Sequence, residues 1–205
     1  MDYTTLASDT TLATLSKNLE ERNMHAHIVE TKTEALEKLR ELIPAGARIH
    51  NGSSTTLAEI GFIDLLKSKS HPWENHHEKA LEESDPVKRK ELQDKAHFAD
   101  FYLGSVHALS ETGELVIASA SGSQLPSIVH TAKNLIFVVG TQKITPSLEA
   151  ALTRVRDHVV PLEDTRMKNT GGHGTVLAKI LIIEKEPTFM GRNVHIVLVK
   201  EKLGF

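Results

Sequence analysis

The segment Leu135-Ile136-Phe137-Val138-Val139 is apolar at every position and closes on Gly140. This run constrains the fold more than any other feature of the chain. A strand with one wet face alternates apolar and polar side chains, whereas a strand apolar on both faces of the pleat has to be covered above and below. Helical periods alternate with short apolar runs along the rest of the chain. Leu12, Leu15 and Leu19 recur three and four residues apart after Asp9, and Leu36, Leu39, Leu42 and Ile43 recur likewise before Pro44. The pattern predicts an α/β fold with a mainly parallel central sheet and helices on both faces.

Segments 47–50, 115–118, 135–139 and 180–184 are the expected strands of one central sheet. Residues 102–109 and 115–118 flank Glu111-Thr112-Gly113-Glu114, which reads as a hairpin. Two closing strands, KILIIEKE and HIVLVKE, surround a turn near Gly191. Thr33 is the expected cap of the second helix, Asp85-Pro86 and Thr145-Pro146 open two more, and residues 161–167 (PLEDTRM) read as a loop. The polar stretch 67–86 is expected as an excursion within a single domain spanning residues 1–205.

Several classes of function are disfavoured. Net charge is -3 and aromatic residues make up 4% of the chain, so neither a basic field nor a stacking platform for nucleic acid is expected. No stretch nears the roughly 18 apolar residues of a membrane span, and the first residues lack the basic and apolar regions of a secretory signal. There is no cysteine, hence no thiolate for an iron–sulfur cluster and no disulfide. A cytoplasmic location is expected.

Three loops between strands and helices carry candidate chemistry. His50-Asn51 leads into Gly52-Ser53-Ser54-Thr55-Thr56, where hydroxyls and backbone N–H groups at a helix start either receive an anion or only cap the helix. Ser121-Gly122-Ser123-Gln124 repeats that arrangement, with small residues that let a ligand approach the backbone. Gly140-Thr141-Gln142-Lys143 follows the buried strand, so Lys143 either neutralises an anionic substrate or assists proton transfer as a catalytic residue, or is an ordinary exposed lysine. All three lie past strand ends, where open α/β sheets take their ligands. Glu111 is a candidate base or nucleophile if the hairpin folds over the cleft, and otherwise a solvated turn residue. Arg166 either clamps a carboxylate or pairs with Glu163. Gly171-Gly172-His173-Gly174 is a lid or a connector. His71, His76 and His77 flank Trp73 without a carboxylate or cysteine set to complete a metal site, and no metal is expected.

The run from Phe101 to Thr145, with PLEDTRM and the ending VKEKLGF, resembles the LUD (lactate-utilisation) domain family, as does HNGSSTTLAEIG at 50–61. The similarity extends from about residue 10 to the end. This chain departs from the family pattern at His107, where Asn is frequent, and at Gln124-Leu125, where Asn-Arg is frequent. The resemblance implies the fold shared by ribose-phosphate isomerases, class I coenzyme A transferases and formyltetrahydrofolate cyclo-ligase. It implies that Ser121–Ser123 cradle an anion faced by Lys143, with His107 and Glu111 as partial substitutes for the isomerases' acidic groups. It also implies a place in the oxidation of L-lactate to pyruvate by a system with iron–sulfur subunits. Without cysteine or a GxGxxG fingerprint, the chain is expected to be a non-redox component. It would bind a small organic acid or support an iron–sulfur partner protein, with no cofactor assigned. The alternative is a free-standing isomerase- or acyl-transferase-like enzyme acting on a phosphorylated or acyl substrate.

Overall fold

The computed structural model describes residues 2–205, except the side chains of His76, His77 and Leu81. Helix α1 (Asp9–Glu21) buries Leu12, Leu15 and Leu19, and Ser8 caps it. Strand β1 (His25–Val29) leads to α2 (Lys32–Leu42), whose cap is Thr31 rather than Thr33: the Thr31 hydroxyl accepts from Glu34 N at 3.2 Å. Next come β2 (Arg48–Asn51), α3 (Thr55–Glu59) and α4 (Phe62–Lys67). The polar stretch contributes β3 (Glu74–Asn75) and α5 (His76–Glu82), and Asp85 caps α6 (Pro86–Ala96). Then follow β4 (Phe101–Gly104), β5 (Ala108–Ser110), β6 (Leu115–Ser119), β7 (Asn134–Gly140) and β8 (Ile144–Thr145). Helices α7 (Leu148–Arg154) and α8 (Val160–Asn169) precede β9 (Lys179–Ile183) and β10 (Asn193–Val199). Ser147, not Thr145, caps α7.

A six-stranded sheet in the order β1-β10-β7-β4-β2-β3 forms the centre, and all its neighbouring strands run parallel. Strand β7 is an inner strand, as its apolar run requires. One face packs Ile136 and Val138 against α2, α3 and α4 through Ala35, Leu39, Leu57, Phe62 and Leu66. The other packs Leu135, Phe137 and Val139 against Leu12, Leu15 and Leu19 of α1 and against Leu109, Leu115 and Ile117.

Those last three residues belong to a second sheet, β8-β5-β6-β9. Segments 115–118 and 180–184 are therefore not in the central sheet, contrary to expectation. Residues 102–109 are shared between the two sheets, because the chain leaves β4 after Gly104 and re-enters as β5. β5 and β6 do form the expected antiparallel hairpin, but β9 pairs with β6 and β10 with β1 and β7, so the closing strands are not partners. Apolar alternation specifies which face of a strand is buried and is silent about its neighbour. The outer side of the second sheet is covered by Ala151 and Val155.

Residues 161–167 are helical rather than a loop. Helix α7 continues through a π-helical segment, Val155–Val159, into α8, with Val160 N donating to Val155 O. Pro161 lacks an N–H, and its ring crowds the preceding turn. The wider turn just before it lets the helix pass the proline without breaking. Among the described residues, no helix is long and apolar enough to cross a membrane.

Candidate functional site

Strands β7, β4 and β2 lie side by side and end at Gly140, Gly104 and Asn51. The segments that follow them meet over a cavity of about 1150 Å³, lined by Gly52–Thr56, Ser105–His107 and Lys143. Opposite, Ser119, Ser123 and Gln124 close the wall after β6, and Glu163 and Arg166 of α8 and residues Gly204 and Phe205 complete it.

Lys143 is turned inward by the 3-10 turn Thr141–Lys143 and is 2% exposed. Its Nζ donates to Thr56 Oγ1 at 2.9 Å, Ser105 Oγ at 3.1 Å and Val106 O at 3.4 Å. All three acceptors are neutral. Among the described residues, neither Lys143 nor Arg154 has a carboxylate oxygen within 4.0 Å. Burial above all, with the nearby Arg154 guanidinium, lowers the Lys143 ammonium to about 7, against a weak opposing pull from Glu59.

Arg154 is wholly buried at the end of α7. Its Nη1 donates to the carbonyl oxygen of His107, while Nε and Nη2 have no hydrogen-bond partner. The His107 ring also lines the cavity. Its Nδ1 accepts from Ala118 N at 3.0 Å. Burial, then Lys143 and Arg154, push its pKa down to about 3, so the ring is neutral and its proton sits on Nε2.

The other expected site residues divide. Thr56 holds Lys143, and Ser54 Oγ accepts from Leu57 N at 3.2 Å as the cap of α3. Helix α3 has only five residues, so the helix-end field expected at this loop is slight. Gly52 is a packing point: a Cβ there would lie 2.7 Å from the Tyr102 hydroxyl oxygen. The second loop splits. Ser123 and Gln124 face the main cavity, whereas Ser121 and Gly122 line a separate shallow depression with Leu125, Pro126 and Val129. Its turn is tied internally, with Gly122 N donating to Ser119 Oγ at 2.8 Å and Ser119 Oγ to Gln124 Oε1 at 3.1 Å.

Gly140 is not among the lining residues; a Cβ there would meet Leu203 N at 2.7 Å and Glu201 O at 2.8 Å. Glu111 is also absent from the lining. It sits in the hairpin turn, its N–H donating to Thr145 O at 2.8 Å and its carbonyl accepting from Asn18 Nδ2 at 2.7 Å. Arg166 lines the cavity from a helix and is held by Glu163 through bonds of 2.6 and 2.7 Å. His71 stacks on Trp73, while the His76 and His77 side chains lie outside the described residues. Among the described residues, no group of three or more His, Asp or Glu is placed to hold a metal.

Sequence reasoning missed Ser105, Arg154 and Gly204. Arg154 did leave a signal: it interrupts the apolar stripe of Leu148, Ala151 and Val155 that runs from α7 into the π-helical segment. His50, named at the head of the first loop, lines the cavity with Tyr102; its Nδ1 lies 3.0 Å from Ser127 Oγ, and its ring meets the Tyr102 ring edge-on.

An open parallel sheet packed against a second sheet, with a cavity past its strand ends, defines an α/β fold of the open-sheet kind. The model of the LUD domain matches residues 12–199, and the chain belongs to that family, which is associated with lactate utilisation. It is similar in fold to the crystal structure of a DUF162 family protein from Deinococcus radiodurans, with a TM-score of 0.59 and 10% identity. That similarity covers 95% of this chain and 99% of the other. No curated protein matches the sequence.

Proposed function

We propose that this protein is a cytoplasmic, non-redox component of lactate utilisation that binds a small organic acid in the cavity at the ends of β2, β4 and β7. The observation that carries this reading is buried Lys143 on the cavity wall, with no carboxylate within 4.0 Å of it among the described residues, reinforced by the charge of nearby Arg154, which is itself not among the lining residues. A buried charge without a counter-ion is costly, and an anion entering the cavity offsets that cost. The Nε2–H of neutral His107 supplies a directed donor beside that charge, while the Thr56 and Ser105 hydroxyls accept from Lys143 and donate to the carbonyls of Leu203 and Val106. The chain has no cysteine, so electrons from lactate would pass through an iron–sulfur partner protein.

An isomerase- or acyl-transferase-like reaction is less well supported. It calls for a carboxylate at the reacting centre; Glu111 is not among the lining residues, Glu163 is engaged by Arg166 and Asp94 by Lys90, and none of the lining carboxylates Glu78, Asp94 and Glu163 lies within 4.0 Å of Lys143. Thermal unfolding with L-lactate, pyruvate, acetate and inorganic phosphate tests the reading, because a ligand of the native state raises the midpoint. A rise with a hydroxy or oxo acid that is lost in Lys143→Met is the expected result. No rise with any of the four would overturn it.

A further inference from the structure

We infer that Lys143 is a nucleophile that captures the carbonyl carbon of a small 2-oxo acid as an imine in this cavity. The inference rests on the organic-acid reading above and deepens it. A lysine amine acts as a nucleophile only when it is unprotonated and reachable, and proteins achieve this by desolvating it and placing another cation beside it. Both conditions hold here. The Lys143 amine is buried, yet it borders a cavity large enough for a small acid. The groups facing it are the Arg154 guanidinium from α7, neutral His107 from the loop after β4, and Glu59 from α3. Arg154 favours the neutral amine. Glu59 opposes it weakly, and its Oε2 accepts from Gly204 N at 2.7 Å.

The hydrogen bonds suit either protonation state. Thr56 Oγ1 and Ser105 Oγ accept from the ammonium, and either hydroxyl can rotate to donate to the free amine. The same positive surroundings select a carbonyl compound that carries a carboxylate over a neutral aldehyde. In the step itself, the lysine nitrogen adds to the carbonyl carbon, the carbonyl oxygen takes up a proton, and the nitrogen loses one, giving a carbinolamine. Loss of water then forms the C=N bond. No oxidant or reductant takes part. Neutral His107 presents Nε2–H as a donor at the cavity wall, suited to the oxygen that leaves as water.

The test is trapping on the intact chain with pyruvate and sodium borohydride, which reduces an imine to a stable secondary amine. The expected result is a mass gain of one carboxyethyl group, mapped to the peptide containing Lys143 and lost in Lys143→Arg. The trapping rate should rise with pH through a midpoint near 7, where an ordinary lysine would rise near 10.5. No adduct, or adducts on surface lysines with Lys143 unmodified, would overturn the inference. Stabilisation by pyruvate without an adduct would overturn the imine alone and leave the organic-acid reading standing. Neither stabilisation nor adduct would sink both.

Discussion

Ala118 N donates to His107 Nδ1 at 3.0 Å, tying the cavity-lining histidine to the strand across the hairpin. That bond suits only a neutral ring protonated at Nε2, and burial depresses the His107 pKa to about 3. On unfolding, the ring regains an ordinary value near 6.5. Below that pH the unfolded chain binds a proton that the native chain refuses, so stability falls as pH drops from 6.5 toward 3. His195, lowered to about 4 by burial and by His27 and His25, acts in the same direction. Denaturant unfolding measured across this window should show a steep acid loss that is reduced in His195→Gln. Nitrogen chemical shifts of His107 should report the Nε2–H tautomer at pH 5.

Lys143 has the same sign at the alkaline end. Its folded value is about 7 and its unfolded value about 10.5, so stability declines as pH falls from 10.5 to 7. Lys143→Met removes the buried charge at the expense of three hydrogen bonds. The variant should gain on the order of 1–3 kcal/mol at pH 7. Its stability should be flatter between pH 7 and 10, as urea midpoints would show. A gain in stability with a loss of ligand response is expected of a residue kept for binding rather than for folding.

Gly140→Ala should act on the site from outside it. The added Cβ would meet Leu203 N at 2.7 Å and Glu201 O at 2.8 Å, both backbone atoms that cannot swing away. The cost should be about 1–3 kcal/mol. The segment 201–205 should become more open to proteolysis, since the Gln142 Nε2 bond to Leu203 O at 2.8 Å holds it against the end of β7.

Arg192 anchors the helical turn Ser127–Thr131. Its guanidinium donates to the carbonyls of Ile128, Val129 and Ala132 at 2.6, 2.9 and 3.0 Å and pairs with buried Glu186 at 3.4 Å. Arg192→Met leaves that carboxylate without its cation and should cost about 3–5 kcal/mol. Adding Glu186→Gln should recover part of the loss, which a double-mutant cycle on the thermal or urea midpoint would read.

The amino-acid sequence by itself determined what depends on neighbours along the chain. The apolar run 135–139 required an inner strand, Asp85 and Pro86 started a helix, and three small or polar loops followed strand ends. The tertiary structure alone decided what depends on residues far apart. Strands 115–119 and 179–183 went to a second sheet because a two-residue period names a buried face and no partner. Ser121 and Gly122 face away from the main cavity because their loop folds on the Ser119 hydroxyl. Lys143 looked no different from an exposed lysine. It is buried because Thr56, Ser105 and Val106, 87, 38 and 37 positions away, close around its amine, and because Arg154 comes to rest nearby from the next helix. The charge state of that amine is set by desolvation and by a neighbouring cation, and both arise only when the chain has folded.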